Sequence, residues 1–131
     1  MNNNHKINIS ISNEKKINEI EKEFHLFFPF LKLQFYTNIN QPNGKKIKKN
    51  IKQNNISIAE CRTIFNNNNL TIKPDLTVSQ LEQNFKNIYG IGIQVLRKSG
   101  NVWLETSFTD GWTLKEQNHQ GEILSELILS K

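Results

Sequence analysis

Between Leu70 and Thr106 the spacing of apolar residues changes from two to about 3.6 and back to two, and this switch constrains the fold more than any other feature. Val78, Leu81, Phe85 and Ile88 line one helical face. Thr77 and Gln80 stand at capping-box spacing ahead of that run, and Gly90 supplies a left-handed stop after it. Before the helix, Leu70 and Ile72 alternate with Thr71 and Lys73 until Pro74-Asp75 breaks a short strand. After it, Ile91, Ile93 and Val95 alternate with Gly92, Gln94 and Leu96. A Ser99-Gly100 turn then returns the chain through Val102-Trp103-Leu104-Glu105-Thr106 as a hairpin.

The first third of the chain repeats this pattern. Ile7, Ile9 and Ile11 alternate as a strand, Ser12 or Asn13 can cap, and Ile17, Ile20, Phe24 and Phe27 define a helical stripe. Pro29 ends that helix, and Leu31, Leu33 and Phe35 form the next strand. Ile9, Ile11, Ile17, Ile20, Phe24 and Phe27 each lie 61 residues before Leu70, Ile72, Val78, Leu81, Phe85 and Ile88. The pattern predicts two right-handed βαβ units, residues 5–37 and 70–107, the second extended by the hairpin strand.

Residues 38–55 carry Pro42-Asn43-Gly44 and Lys45, Lys46, Lys48, Lys49 and Lys52, and read as an exposed, mobile basic loop. Ser57 and Glu60 form a capping box that opens a short helix over 57–65, with Ile58, Cys61 and Ile64 or Phe65 inward. Thr113 and Glu116 form another, opening a C-terminal helix over 113–129 with Leu114, Leu124, Leu127 and Ile128 inward and Gly121 as a weak point. The expectation is a single α+β domain over residues 1–131. It has one mixed sheet of about five strands, helices mainly on one face, and a ferredoxin-like core.

Composition bounds the function classes. A single cysteine, Cys61, excludes an intrachain disulfide framework and fits a reducing compartment. No apolar run is long enough to span a bilayer, and Met1-Asn2-Asn3-Asn4-His5 has no signal-peptide character, so the expected location is the cytoplasm. The formal charge of +5 invites a nucleic-acid reading. It competes with compositional drift, because Lys, Asn and Ile are all products of AT-rich codons.

Motifs for chemistry are sparse. His5, His25, His119 and Cys61 have no metal-ligand spacing, so no metal or cofactor is expected. Gly90-Ile91-Gly92 follows a helix, whereas a dinucleotide loop precedes one. Cys61 has no local partner for nucleophilic work and reads as a small buried side chain. Glu105 and Asp110 lie close in sequence to Trp103 and Trp112, an arrangement able to raise a carboxylate pKa. An enzyme using them is the least favoured reading, and no catalytic residue is assigned.

The run Val95-Leu96-Arg97-Lys98-Ser99-Gly100-Asn101-Val102-Trp103-Leu104-Glu105-Thr106, with Thr109-Asp110-Gly111-Trp112-Thr113-Leu114 and Glu116-Gln117-Asn118, resembles a family of small uncharacterised bacterial proteins. Phe28-Pro29-Phe30-Leu31-Lys32-Leu33 and Glu60-Cys61-Arg62 are similar to it too. That family's pattern has a second acidic residue where Gly111 stands here. The resemblance implies a shared fold and no mechanism.

The leading expectation is a non-catalytic protein-interaction or scaffold module presenting Trp103, Glu105, Asp110 and Trp112 to an unknown protein partner. Trp103 and Glu105 point outward if Val102 and Leu104 face the core; the opposite phase buries Trp103. The alternative is nucleic-acid binding, with Lys45, Lys46, Lys48, Lys49 and Lys52 on phosphates and Tyr36 or Trp103 as stacking groups.

Overall fold

The computed structural model describes residues 8–51 and 55–129. Its elements are β1 (Ile9–Ile11), α1 (Ile17–Phe27), β2 (Leu31–Asn40), β3 (Lys46–Asn50) and α2 (Ile58–Cys61), then β4 (Leu70–Ile72), α3 (Val78–Asn84), β5 (Gly92–Ser99), β6 (Val102–Glu105) and α4 (Leu114–Leu129). A π-helical turn, Phe85–Tyr89, extends α3, and a 3-10 turn, Ser107–Thr109, follows β6. The class is α+β, as the sequence predicts. The order is one β-α-β-β-α unit traversed twice.

The two copies interlock. β1 pairs antiparallel with β4, placing Ile9 opposite Ile72 and Ile11 opposite Leu70. The second sheet has the order β3-β2-β5-β6, with every neighbouring pair antiparallel. The pairing is thus symmetric in topology, with β1 corresponding to β4, β2 to β5 and β3 to β6.

This corrects the expected single mixed sheet. The two strands of each presumed βαβ unit enter different sheets, so neither unit has a parallel pair or a crossover, and no ferredoxin-like sheet forms. β1 and β4 are three residues each and satisfy each other's backbone groups, while the long strands β2 and β5 do the same in the larger sheet.

Capping is largely as written in the sequence. The Thr77 hydroxyl accepts the Gln80 N–H at 3.0 Å, and Ser57 and Thr113 do the same for Glu60 and Glu116. Gly90 stops the second helix at φ 69°. The start of α1 differs from expectation: Lys16, not Ser12 or Asn13, is the cap residue, and the Glu19 carboxylate accepts its N–H at 2.9 Å.

Both helices also bury one residue beyond the expected stripe. Phe28 replaces Phe27, and Tyr89 replaces Ile88. In the second copy the wide π turn supplies that shift. The Tyr89 hydroxyl is then placed between the two short strands. It accepts the Leu70 N–H at 3.0 Å and donates to Ile11 O at 3.1 Å, bridging one end of the β1–β4 ribbon.

Residues 38–51 of the expected basic loop are not loose. β2 runs on to Asn40, a turn closes with the Gln41 N–H donating to Lys45 O at 2.7 Å, and β3 returns as a ribbon with all five residues exposed. Lys52, like His5, lies outside the described residues. The short helix ends at Cys61, leaving Ile64 and Phe65 exposed. Arg62 follows it into the interior. Its Nε donates to Ile64 O at 2.7 Å, Nη1 to Asn13 Oδ1 at 2.7 Å and Nη2 to Ile88 O at 3.1 Å, so the buried guanidinium is held by helix-end and loop oxygens.

α4 lies over β5 through Leu114, Gln117, Gly121 and Ser125, while Leu127 is exposed, contrary to expectation. Gly121 is a close-approach site, not a weak point. A Cβ there would stand 2.9 Å from Phe30 Cβ and 3.1 Å from Arg97 Cγ. Among the described residues the buried apolar side chains form one cluster, from Ile9 and Ile11 through Phe24, Phe35, Phe85 and Val95 to Leu114.

Candidate functional site

Two strands, β3 and β6, end the larger sheet in equivalent places, and their sequences are unlike. β3 reads Lys46-Ile47-Lys48-Lys49-Asn50, and lysines along an edge discourage pairing with another chain. β6 reads Val102-Trp103-Leu104-Glu105 and has no lysine or proline. Val102 is 55% exposed and Leu104 44%. The alternation thus runs in the phase opposite to an outward Trp103. Trp103 is half-buried, with the Lys32 ammonium 4.4 Å from its ring centroid and the His25 ring edge-on at 6.0 Å.

The hydrogen-bond phase of β6 follows from its neighbour. Lys98 donates its N–H to Phe30 O, toward the β2 side, so Arg97 and Ser99 address β6 and pair with Leu104 and Val102. Trp103 and Glu105 therefore turn their backbone N–H and C=O groups away from β5, along the free edge. The Glu105 side chain is exposed opposite Leu96 in the ladder.

At the β3 side the structure brings together three of the residues singled out from sequence. Tyr36, Lys48 and Asp110 line a cleft of about 500 Å³ with Glu82, Gln83 and Lys86. Tyr36 lies opposite Gly92, where a Cβ would come within 2.5 Å of its ring; glycine is what lets the tyrosine lie down. The Lys48 ammonium stands 4.7 Å from the Tyr36 centroid. The tyrosine face proposed for stacking on a base is thus already covered by the protein's own cation.

Glu82 is the residue that the sequence reading missed. Burial holds its carboxyl above the ordinary range, Asp110 adds to the rise, and Lys48 opposes it. Its counterpart, Glu21, sits 61 residues earlier, and burial raises it too, offset by the N–H of Phe35. The signal was available: each follows a buried core residue, Ile20 or Leu81, at the same place in the repeat.

The other candidates are dispersed. Trp112 is partly exposed, with the Arg97 guanidinium 5.7 Å from its ring, and Arg97 in turn donates to Gln117 Oε1 at 2.9 Å. Glu105 and Asp110 serve different features, one on the β6 edge and one in the cleft. Lys45, Lys46 and Lys49 lie on the ribbon. Cys61 is half-buried and donates weakly to Ile58 O at 3.8 Å; burial pushes its thiol pKa up, which suppresses the thiolate a nucleophile needs.

Among the described residues no cluster of three or more His, Cys, Asp or Glu side chains could hold a metal ion, and no helix is long and apolar enough to cross a membrane. No family model, curated protein or solved structure matches the chain.

Proposed function

We propose that this protein is a non-catalytic interaction module that binds an extended segment of a protein partner along the β6 edge. One observation carries the reading: of two edge strands in equivalent places, β3 bears three lysines, whereas β6 presents Val102 and Leu104 to solvent and two residues' backbone groups to any strand laid beside it. Strand addition draws affinity from such main-chain groups and specificity from alternate side chains. The partner segment needs apolar residues at alternating positions to cover Val102 and Leu104.

The test is amide hydrogen exchange on a complex recovered with the full chain. Protection is expected at the Trp103 and Glu105 amides, and Leu104→Lys is expected to abolish recovery while the melting temperature stays within a few degrees. Recovery unaffected by Leu104→Lys, or no new protection at those amides, refutes the reading.

A second reading, nucleic-acid binding, draws on the exposed ribbon that carries Lys45, Lys46, Lys48 and Lys49. A two-stranded ribbon fits the major groove. Replacing all four lysines by Gln should flatten the salt dependence of binding to duplex DNA; an unchanged slope rejects it.

A further inference from the structure

We propose that the cleft between β3 and α3 is a binding site for an ammonium group, and that Lys48 is its built-in occupant. The site joins an aromatic face, Tyr36, with two carboxylates, Glu82 and Asp110, in one recess of about 500 Å³. An ammonium over a tyrosine ring is attracted by the negative face of the ring system, and the neighbouring carboxylates supply the countercharge. An anion entering here meets Glu82 and Asp110, and an apolar guest strips water from both without replacing it. A cation is the guest that suits the ring face and both carboxylates, with Lys86 the one remaining cation of the lining once Lys48 has left.

The protein already places one there. The Lys48 ammonium sits 4.7 Å from the Tyr36 centroid, and its charge favours ionised Glu82. Among the described residues no hydrogen-bond donor reaches the Glu82 carboxylate, whereas its counterpart Glu21 takes the N–H of Phe35. Glu82 is thus a half-buried carboxylate compensated by a nearby charge and not by a hydrogen bond.

The charged and titratable groups facing Glu82 come from four elements: Lys48 on β3, Lys86 on the turn after α3, Asp110 on the segment after β6, and the neutral Tyr36 phenol on β2. With Lys48 in place, two cations balance two carboxylates; with Lys48 withdrawn, the lining carries one excess negative charge. Withdrawal disturbs little, because every residue of β3 is exposed. The cleft therefore works as a gated site. An external ammonium, either a free amine or a lysine side chain of a protein partner, takes the seat over Tyr36 as Lys48 swings out. This does not depend on the β6 reading, since the cleft and that edge share no residue.

The intramolecular competitor sets the expected effect. If Lys48 occupies the seat nine-tenths of the time, apparent affinity is reduced about tenfold, and removing it restores that factor. The experiment is calorimetric titration of the full chain and of Lys48→Ala, at low ionic strength, with putrescine and separately with an Nα-acetylated lysine amide.

Lys48→Ala is expected to bind at least one probe about tenfold tighter than the parent chain. Adding Glu82→Gln or Asp110→Asn to Lys48→Ala should remove that gain. Binding should weaken as pH falls through the raised range of Glu82, because the protonated acid offers no countercharge. Binding of both probes identifies the ammonium itself as the recognised group. Binding of putrescine alone assigns a free amine, and of the lysine derivative alone a partner's side chain. The proposal is overturned if Lys48→Ala binds neither probe, binds no tighter than the parent, or keeps its affinity when Glu82 and Asp110 are neutralised.

Discussion

Removing one oxygen atom should test how the two short strands are tied to the rest of the core. Tyr89 is fully buried, and its hydroxyl takes the Leu70 N–H and donates to Ile11 O. Tyr89→Phe keeps the ring and its tilted packing on Phe85 but leaves one buried donor and one buried acceptor without a partner. Each such orphan costs about 1–3 kcal/mol, so a total of about 2–4 kcal/mol follows when the ribbon relaxes partly around the gap. With an unfolding entropy of about 2.1 cal/mol/K per residue over 131 residues, the melting temperature should fall by about 7–15 °C. Calorimetry gives this shift directly. Urea unfolding followed by tryptophan emission should show a lower midpoint with an unchanged slope. A fall of less than about 3 °C refutes the reasoning, since the hydroxyl then bridges nothing of consequence.

Gly121→Ala should destabilise by about 1–3 kcal/mol, because the added methyl meets Phe30 Cβ at 2.9 Å and overpacking outweighs the roughly 1 kcal/mol that alanine gains in a helix; a urea titration showing stabilisation contradicts this. Glu21→Gln should stabilise the fold at neutral pH. Burial raises the folded-state pKa of Glu21, so ionisation costs the native state, and that cost disappears as pH falls through the raised pKa toward the unfolded value. Melting curves of parent and variant should therefore converge near the ordinary carboxylate range. A difference that is constant with pH rules out this cause.

Local features were legible because they depend on neighbours in sequence. The Thr77, Ser57 and Thr113 boxes, the Gly90 stop and the strands at Leu70, Leu31 and Val102 each need only a few adjacent residues. What failed needs distant ones. The alternation of Ile9 and Ile11 announces a strand but does not say that its partner is Ile72 and Leu70. Lysines 45, 46, 48 and 49 look like a loop by composition, yet the paired backbone of Thr37 to Asn40 makes them a ribbon. The stripe ended one residue early in both copies, at Phe27 and Ile88, because a repeat of three and four cannot register a π turn or the bend ahead of Pro29. At the cleft, Tyr36, Lys48 and Asp110 were each marked for separate reasons. Their meeting around Glu82 depends on α3 lying against the start of β5, which periodicity does not encode.

The exchange of strands between the two copies also dictates how the chain reaches this structure. Every pair in the β1–β4 and β2–β5 ladders joins residues about 60 apart. A nascent chain that has been made only to Asn69 holds α1 and the β2–β3 ribbon, but neither Ile9 nor Leu33 yet has the strand it pairs with. Folding must therefore wait for the second copy and proceed through one long-range docking step, with the closure entropy of a long loop spent before any central pair forms. During that wait Phe24, Phe28 and Phe35 stand exposed to other chains. The same arithmetic makes the Arg62–Asn69 connection a natural place to divide the protein, since each fragment then lacks the partner strands of both long-range ladders and finds them in the other fragment.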